Sequence, residues 1–260
     1  MTGAMFVFDS ATPEIFLGYA LGDRTDVLCE QAGKRSFLSD FPLRLAAFMK
    51  GKPIRPETTV YLGIGPGSFT GLKSGAALVG AFLYARGTTK MKCISSLDLL
   101  LARTMPDEGM CCFAAVPFHD DSIFATLSRW SYAGMTVLVP PRVVSVPLLG
   151  SFTASLSPRP DIIAAATISP TAEQLLHSSF PDAEWRAPGK AFHPSTIEAL
   201  PVLSRVDICC DPLFLGYMAA PGGLERDDRA YYTIGGLNKG GKPCIRKKSS
   251  RDTKRSNNDL

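Results

Sequence analysis

Along roughly the first hundred residues, short apolar runs bounded by turn residues alternate with longer runs of helical spacing. Residues 5–8 and 15–20 are apolar and are joined by Asp9, Ser10, Thr12 and Pro13, which predicts two strands and a tight connection. Turn chemistry at Asp23, Arg24, Thr25 and Asp26 precedes a third strand over 27–30, and consecutive strands of this kind pair antiparallel. After Ser39 and Asp40, the positions Phe41, Leu43, Leu45, Ala46, Phe48 and Met49 form a helical apolar face that Gly51 and Pro53 end. Residues 59–62 read as a buried strand, 76–85 as a helix ended by Gly87, 92–94 as a strand and 97–103 as a helix. The predicted order is βββαβαβα.

A second series follows Met105-Pro106-Asp107-Glu108-Gly109. Residues 111–117 and 122–127 read as strands joined at His119-Asp120-Asp121, and 135–139 and 142–146 as two more, interrupted by Pro140 and Pro141. Residues 161–166 are a strong apolar run, 172–177 a short helix, and 197–203 a helix entered after Pro194 and Ser195. After Pro221-Gly222-Gly223 the chain turns polar. Residues 235–260 have almost no apolar content and cannot offset the entropy of ordering, so a disordered tail is expected.

The segment Gly63-Ile64-Gly65-Pro66-Gly67-Ser68-Phe69-Thr70-Gly71-Leu72-Lys73-Ser74-Gly75 lies between a strand and a helix. That is the usual setting for a phosphate cradle, because glycines let backbone N–H groups approach an anion at a helix N-terminus. The spacing fits no catalytic pattern. A P-loop needs Gly-Lys-[Ser/Thr] contiguous, and Leu72 separates Gly71 from Lys73. A dinucleotide fingerprint meets Ser68 or Thr70 where its last glycine belongs, and a hydrolase elbow meets Pro66 two residues before the serine.

The run Gly65-Pro66-Gly67-Ser68-Phe69-Thr70-Gly71-Leu72-Lys73 resembles the signature of the TsaB (YeaZ) family, G-P-G-S-F-T-G-[LV]-R, with Lys73 in place of the arginine. Those proteins are small non-catalytic subunits of the bacterial machinery that makes threonylcarbamoyladenosine on tRNA. Phe6-Val7-Phe8-Asp9-Ser10-Ala11-Thr12 is similar to the family's opening strand, and Ser95-Ser96-Leu97 to its S-[ST]-L helix start. Asp211-Pro212-Leu213-Phe214-Leu215 is similar to the closing P-x-Y-L-R, with Gly216 replacing the arginine. Residues 134–195 carry no match.

The resemblance implies an α/β fold of the actin-like (Hsp70, sugar-kinase) ATPase class with two lobes, the second reduced. It divides the chain into an N-terminal lobe over 1–106, a C-terminal lobe over 107–220 and the tail over 221–260. It implies binding to a large catalytic paralogue (TsaD-like), with a small ATPase subunit (TsaE-like) completing the assembly. The family also dimerises through the helix after the signature loop and the one before it, and whether the free chain is a homodimer or a monomer stays open. tRNA would be met indirectly or through the basic tail. The interface it implies comprises Pro42 and Leu45 on the first helix, and Gly67, Ser68, Phe69, Thr70, Gly71, Leu72, Lys73, Gly75 and Leu78 on the loop and the helix after it. Small residues at Gly71, Gly75, Ala77, Ala81 and Ala85 let another backbone approach closely; their spacing leaves open whether that neighbour is the chain's own sheet or another chain. In actin-like ATPases an Asp at the first turn helps hold the metal–nucleotide complex, which makes Asp9, Ser10 and Thr12 candidates for weak nucleotide binding. Alternatively, Asp9 caps the hairpin turn with its own carboxylate.

No catalytic residue, metal site or cofactor is expected. The family's catalytic paralogue carries H-x-x-x-H as metal ligands, whereas His119, His177 and His193 all lie more than a helical turn apart. An ATPase of this class needs a second acidic residue in the other half, and Asp120 and Asp161 lack glycine-rich surroundings. The rival reading is an enzyme, either a degenerate sugar-kinase-like ATPase or a glycoprotease-like peptidase; against the latter, no Ser, Cys or His sits in a recognisable nucleophile motif.

The net charge of +4 conceals a division. From Lys239 onward the chain has eight Lys or Arg and two Asp, leaving 20 basic and 22 acidic residues in the body. A nucleic-acid footprint is therefore confined to the tail. The seven cysteines include two adjacent pairs and form no C-x-x-C motif, so they are expected to be reduced. No signal-peptide pattern or bilayer-length apolar run is present, so a cytoplasmic protein with no membrane association is expected.

Overall fold

The computed structural model describes residues 3–31, 37–87, 90–119, 121–189 and 192–207. Strands β1 (Ala4–Asp9), β2 (Glu14–Leu21) and β3 (Arg24–Gln31) form an antiparallel meander. On the other side of β1, β4 (Thr59–Gly63) and then β5 (Lys90–Ile94) pair in parallel. The helices α1 (Phe37–Phe48), α2 (Phe69–Tyr84) and α3 (Ser96–Ala102) follow β3, β4 and β5, giving the predicted βββαβαβα order.

The same pattern is then repeated. Strands β6 (Cys111–His119), β7 (Ser122–Arg129) and β8 (Thr136–Ser145) form a second meander, and β9 (Ile162–Ala165) and β10 (Glu184–Trp185) extend it in parallel beyond β6. A 3-10 turn (Val146–Leu148) with α4 (Leu149–Ala154), α5 (Pro170–Ser179) and α6 (Pro194–Glu198) occupies the three helix positions. The last described strand, β11 (Ser204–Asp207), returns to the first sheet and pairs antiparallel with β5.

Side-chain alternation assembles these elements into layers. On β1, Phe6 and Phe8 face a core shared with Phe41, Leu45 and Met49 of α1 and with Val79 and Leu83 of α2. Met5 and Val7 face the opposite side, toward α3, α6 and the second sheet's Cys112, Ala114 and Val116. Phe113 and Ala115 then point to the far core with Leu149, Leu176 and Phe180. Helix α3 lies between the sheets, and every one of its residues is buried. A helix enclosed on all sides is expected to be apolar all round, which makes Asp98 within it an exception.

The structure corrects several expected boundaries. Helix α2 begins at Phe69 rather than 76, because its early glycines are packing positions. Strand β8 runs through Pro140 and Pro141 as one element; it is an edge strand, where missing N–H donors are tolerated, and its pairing with β7 is irregular there. The helix expected over 197–203 is the shorter α6, and the chain is extended again by Ser204. Residues 211–215 and the tail lie outside the described residues.

Candidate functional site

The signature loop rests on the first hairpin. Asp9 ends β1, and its Oδ1 accepts hydrogen bonds from Ala11 N (2.9 Å) and Ser96 Oγ (3.0 Å). The Ser96 hydroxyl in turn accepts from Gly65 N at 2.9 Å, and Ser96 N donates to Gly65 O at 2.7 Å. Ser10 Oγ donates to Gly71 O (2.9 Å), Thr12 Oγ1 to Glu14 O (2.7 Å) and Ser68 N to Ala11 O (2.6 Å). Ser68 also caps α2, its Oγ accepting from Gly71 N at 3.2 Å. Asp9, Ser10 and Thr12 are all buried. Burial raises the Asp9 carboxyl to about 6, against the pull of the Ala11 and Ser96 hydrogen bonds and the Arg103 charge.

The glycines of the loop are required by close approach. A Cβ at Gly67 would lie 2.1 Å from Ala11 O, one at Gly71 2.1 Å from Ser10 O, and one at Gly75 2.1 Å from Ser10 Oγ and 2.7 Å from the Phe8 ring. At Gly63 it would meet Asp9 Cγ at 2.6 Å. The side chains of Asp9, Ser10 and Thr12, candidates for nucleotide binding, are thus engaged within the turn and by the loop that covers it. The Asp9 carboxylate caps the hairpin, the alternative that the sequence left open.

The expected interface residues divide into two sets. Leu45 and Leu72 are buried at 3% and 8% exposure, and Gly75 faces the chain's own Ser10 and Phe8. Gly71 likewise approaches the hairpin. Pro42 and Ser68 are exposed, Gly67, Lys73 and Leu78 half-buried, and the side chains of Phe69 and Thr70 lie outside the described residues. Of the small-residue stripe, Gly71 and Gly75 meet the chain's own hairpin, while Ala81 and Ala85 are exposed and Ala77 is half-buried. On α1, Pro42, Leu43, Ala46 and Ala47 are exposed, with Leu43 at 75%. At the end of α2, Tyr84 is 64% exposed. Leu43 and Ala46, expected on one apolar face with Leu45, are exposed; three residues apart, they share a face separate from the one that buries Phe41, Leu45 and Met49.

The second lobe does not duplicate this chemistry. The last parallel pair between β1 and β4 is Phe8 with Leu62, and the next residue on β1 is Asp9. The last between β6 and β9 is Ala115 with Ala165, and the next residue on β6 is Val116, fully buried. Asp161 precedes β9, at the opposite end of the strands, where its Oδ2 accepts Cys111 N at 2.7 Å. Asp120 and the His119 side chain lie outside the described residues. His177 stacks on Trp185 and His193 caps α6. No cluster of three metal-ligating side chains occurs among the described residues.

No protein-family model and no curated protein matches this chain. Solved structures do. An uncharacterized protein with similarity to peptidase YeaZ from Pseudomonas aeruginosa is 15% identical, with a TM-score of 0.50 over 77% of this chain and 98% of that one. YeaZ from Pseudomonas aeruginosa is 16% identical, with a TM-score of 0.49 over 68% and 90%. A Bacteroides thetaiotaomicron protein with an actin-like ATPase fold is 8% identical, with a TM-score of 0.41 over 76% and 95%. At these identities the likeness is one of fold. The chain is α/β with two mixed sheets and has a YeaZ-like fold. No described helix is long and apolar enough to cross a membrane.

Proposed function

We propose that this chain is a non-catalytic, partner-binding subunit of the TsaB (YeaZ) type. Its partner is the large catalytic paralogue (TsaD-like) of the machinery that makes threonylcarbamoyladenosine on tRNA, and a small ATPase subunit (TsaE-like) completes the assembly in the cytoplasm. The observation that carries this reading is the set of small and apolar residues exposed on α1 and on α2. Pro42, Leu43, Ala46 and Ala47 lie exposed on one helix and Ala81, Tyr84 and Ala85 on the other. Small side chains let a partner helix approach closely, and the exposed leucine and tyrosine supply apolar area for the centre of an interface. The lone, inward-facing Asp9, with Val116 at the matching position of the other lobe, supports a subunit without its own phosphoryl chemistry.

The test is calorimetric titration against the large paralogue from the same genome. Leu43→Glu and Ala81→Arg each place a charge among these residues and should weaken binding by roughly tenfold or more, since burying an unpaired charge is costly. Both sites are exposed, so the melting temperature should barely move. Threonylcarbamoyladenosine in total tRNA should fall in cells carrying either variant. A wild-type chain that does not bind that paralogue, or whose deletion leaves the modified nucleoside intact, would overturn the reading.

A further inference from the structure

The segment leaving β10 crosses from the second lobe back to the first. Arg186 N still pairs with Ile163 O of β9 at 3.0 Å. Three residues on, Gly189 N donates to Arg103 O at 3.0 Å, and Gly189 O accepts from Arg103 Nε at 3.3 Å. The same guanidinium reaches into the first sheet, where Nη2 donates to Glu14 Oε2 and to Cys29 Sγ, each at 3.1 Å. Its carbon lies 4.5 Å from the centre of the Phe16 ring. The Cys29 thiol donates to the same Glu14 carboxylate at 3.3 Å, which fixes that acceptor. Nearby, the buried Phe192 packs edge-on against Phe16, with ring centres 6.0 Å apart. It fills the space over Gly18, where an added Cβ would come within 2.7 Å of the ring.

We propose that Arg103 and Phe192 form a lock that joins the two lobes into one rigid body, so that the chain works without an interlobe hinge. Two-lobed folds can close around a ligand by hinge rotation, which requires a junction whose contacts are cheap to break. This junction is of the opposite kind. The Arg103 side chain is 2% exposed, and its partners come from β2, β3 and the segment beyond β10. Parting the lobes would break both hydrogen bonds between Arg103 and Gly189 and leave a donor of the buried guanidinium, which Glu14 and Cys29 hold in the first sheet, without its acceptor. It would also expose Phe192 and open the space over Gly18. The inference does not rest on the proposed partner.

Native-state hydrogen exchange on the full chain tests it. In a locked molecule the Gly189 amide, whose acceptor lies across the junction, opens only with the whole structure. Its opening free energy and denaturant dependence should then match those of the Val7 amide in β1 and the Ala114 amide in β6. Arg103→Met keeps the apolar stem and removes the donors. It should accelerate Gly189 exchange by roughly a hundredfold or more, through a local event with little denaturant dependence. If Arg103→Met does not fold, Gly18→Val displaces Phe192 with the guanidinium intact, and the same acceleration is expected. A wild-type Gly189 amide that exchanges through a low-energy, denaturant-independent opening would overturn the lock. So would unchanged Gly189 exchange in a folded variant.

Discussion

Among the described residues, Asp98 is a carboxyl buried in an apolar setting. It is 3% exposed on a helix enclosed by two sheets, and its Oδ1 has no hydrogen-bond partner. Burial alone pushes its carboxyl from 3.8 to about 7, and Asp9 rises to about 6. Both groups hold their protons to higher pH in the folded chain than in the unfolded one. Between about pH 4 and 7 the folded state therefore binds more protons, and stability falls as pH rises through that window. It levels off once both carboxyls are ionised in either state. Asp98→Asn keeps the shape and removes the ionisation. The variant should be more stable than wild type at about pH 8, by on the order of a few kcal/mol at most, and the advantage should vanish near pH 4. Urea midpoints at the two pH values measure this, and an equal difference at both would disprove it. The sequence reads 97–103 only as a helix, and the burial of all its sides comes from contacts distant in the chain, with residues of both sheets. Asp9, by contrast, was legible as a turn-capping residue, since that role is local.

At the scale of elements, local rules read well wherever the neighbours were local. The strand–turn–strand start and the βββαβαβα order follow from periodicity and turn residues. The helix α2 shows where such rules fail. Glycine is a poor helix residue by propensity, yet Gly71 and Gly75 lie inside the helix, because a hairpin distant in sequence from them occupies the space of their missing side chains. Likewise Pro140 and Pro141 read as a break, and the edge position of β8 absorbs them. Gly75 therefore belongs to the fold, and its substitution should be felt in stability first. Gly75→Leu must displace the Phe8 ring and the Ser10 hydroxyl, and overpacking of this kind costs about 1–3 kcal/mol. A melting temperature lowered by several degrees is expected, in contrast to Leu43→Ala on the exposed face of α1, which should change stability by no more than about 0.5 kcal/mol. Gly75→Leu with unaltered melting would show that α2 can shift off the hairpin at no cost.

At the scale of the whole molecule, the duplication is visible in strand pairing and nearly invisible in sequence. Both sheets run meander first and parallel pair second, yet one places Asp9 where the other places Val116, and the glycine loop has no glycine counterpart between β9 and α5. Backbone pairing and apolar alternation are what the two halves share, and many sequences satisfy both. The chain's charge is divided just as unevenly: eight of its 28 Lys and Arg lie from Lys239 onward, against two of its 24 acidic residues. Every described strand and helix lies before residue 208 and 236–260 offer almost no apolar side chains to bury, so removing 236–260 should leave the melting temperature and the affinity for the large paralogue unchanged. The same truncation measures what the basic segment does for tRNA. Each phosphate contact it makes contributes about 0.7–0.9 to the slope of log affinity against log salt concentration. A truncated complex that binds tRNA more weakly and with a shallower slope would count those contacts directly. Equal affinity and equal slope would place tRNA recognition on the partner subunits and leave these residues as a solvated charge run. A lowered melting temperature would show instead that 236–260 pack on the fold.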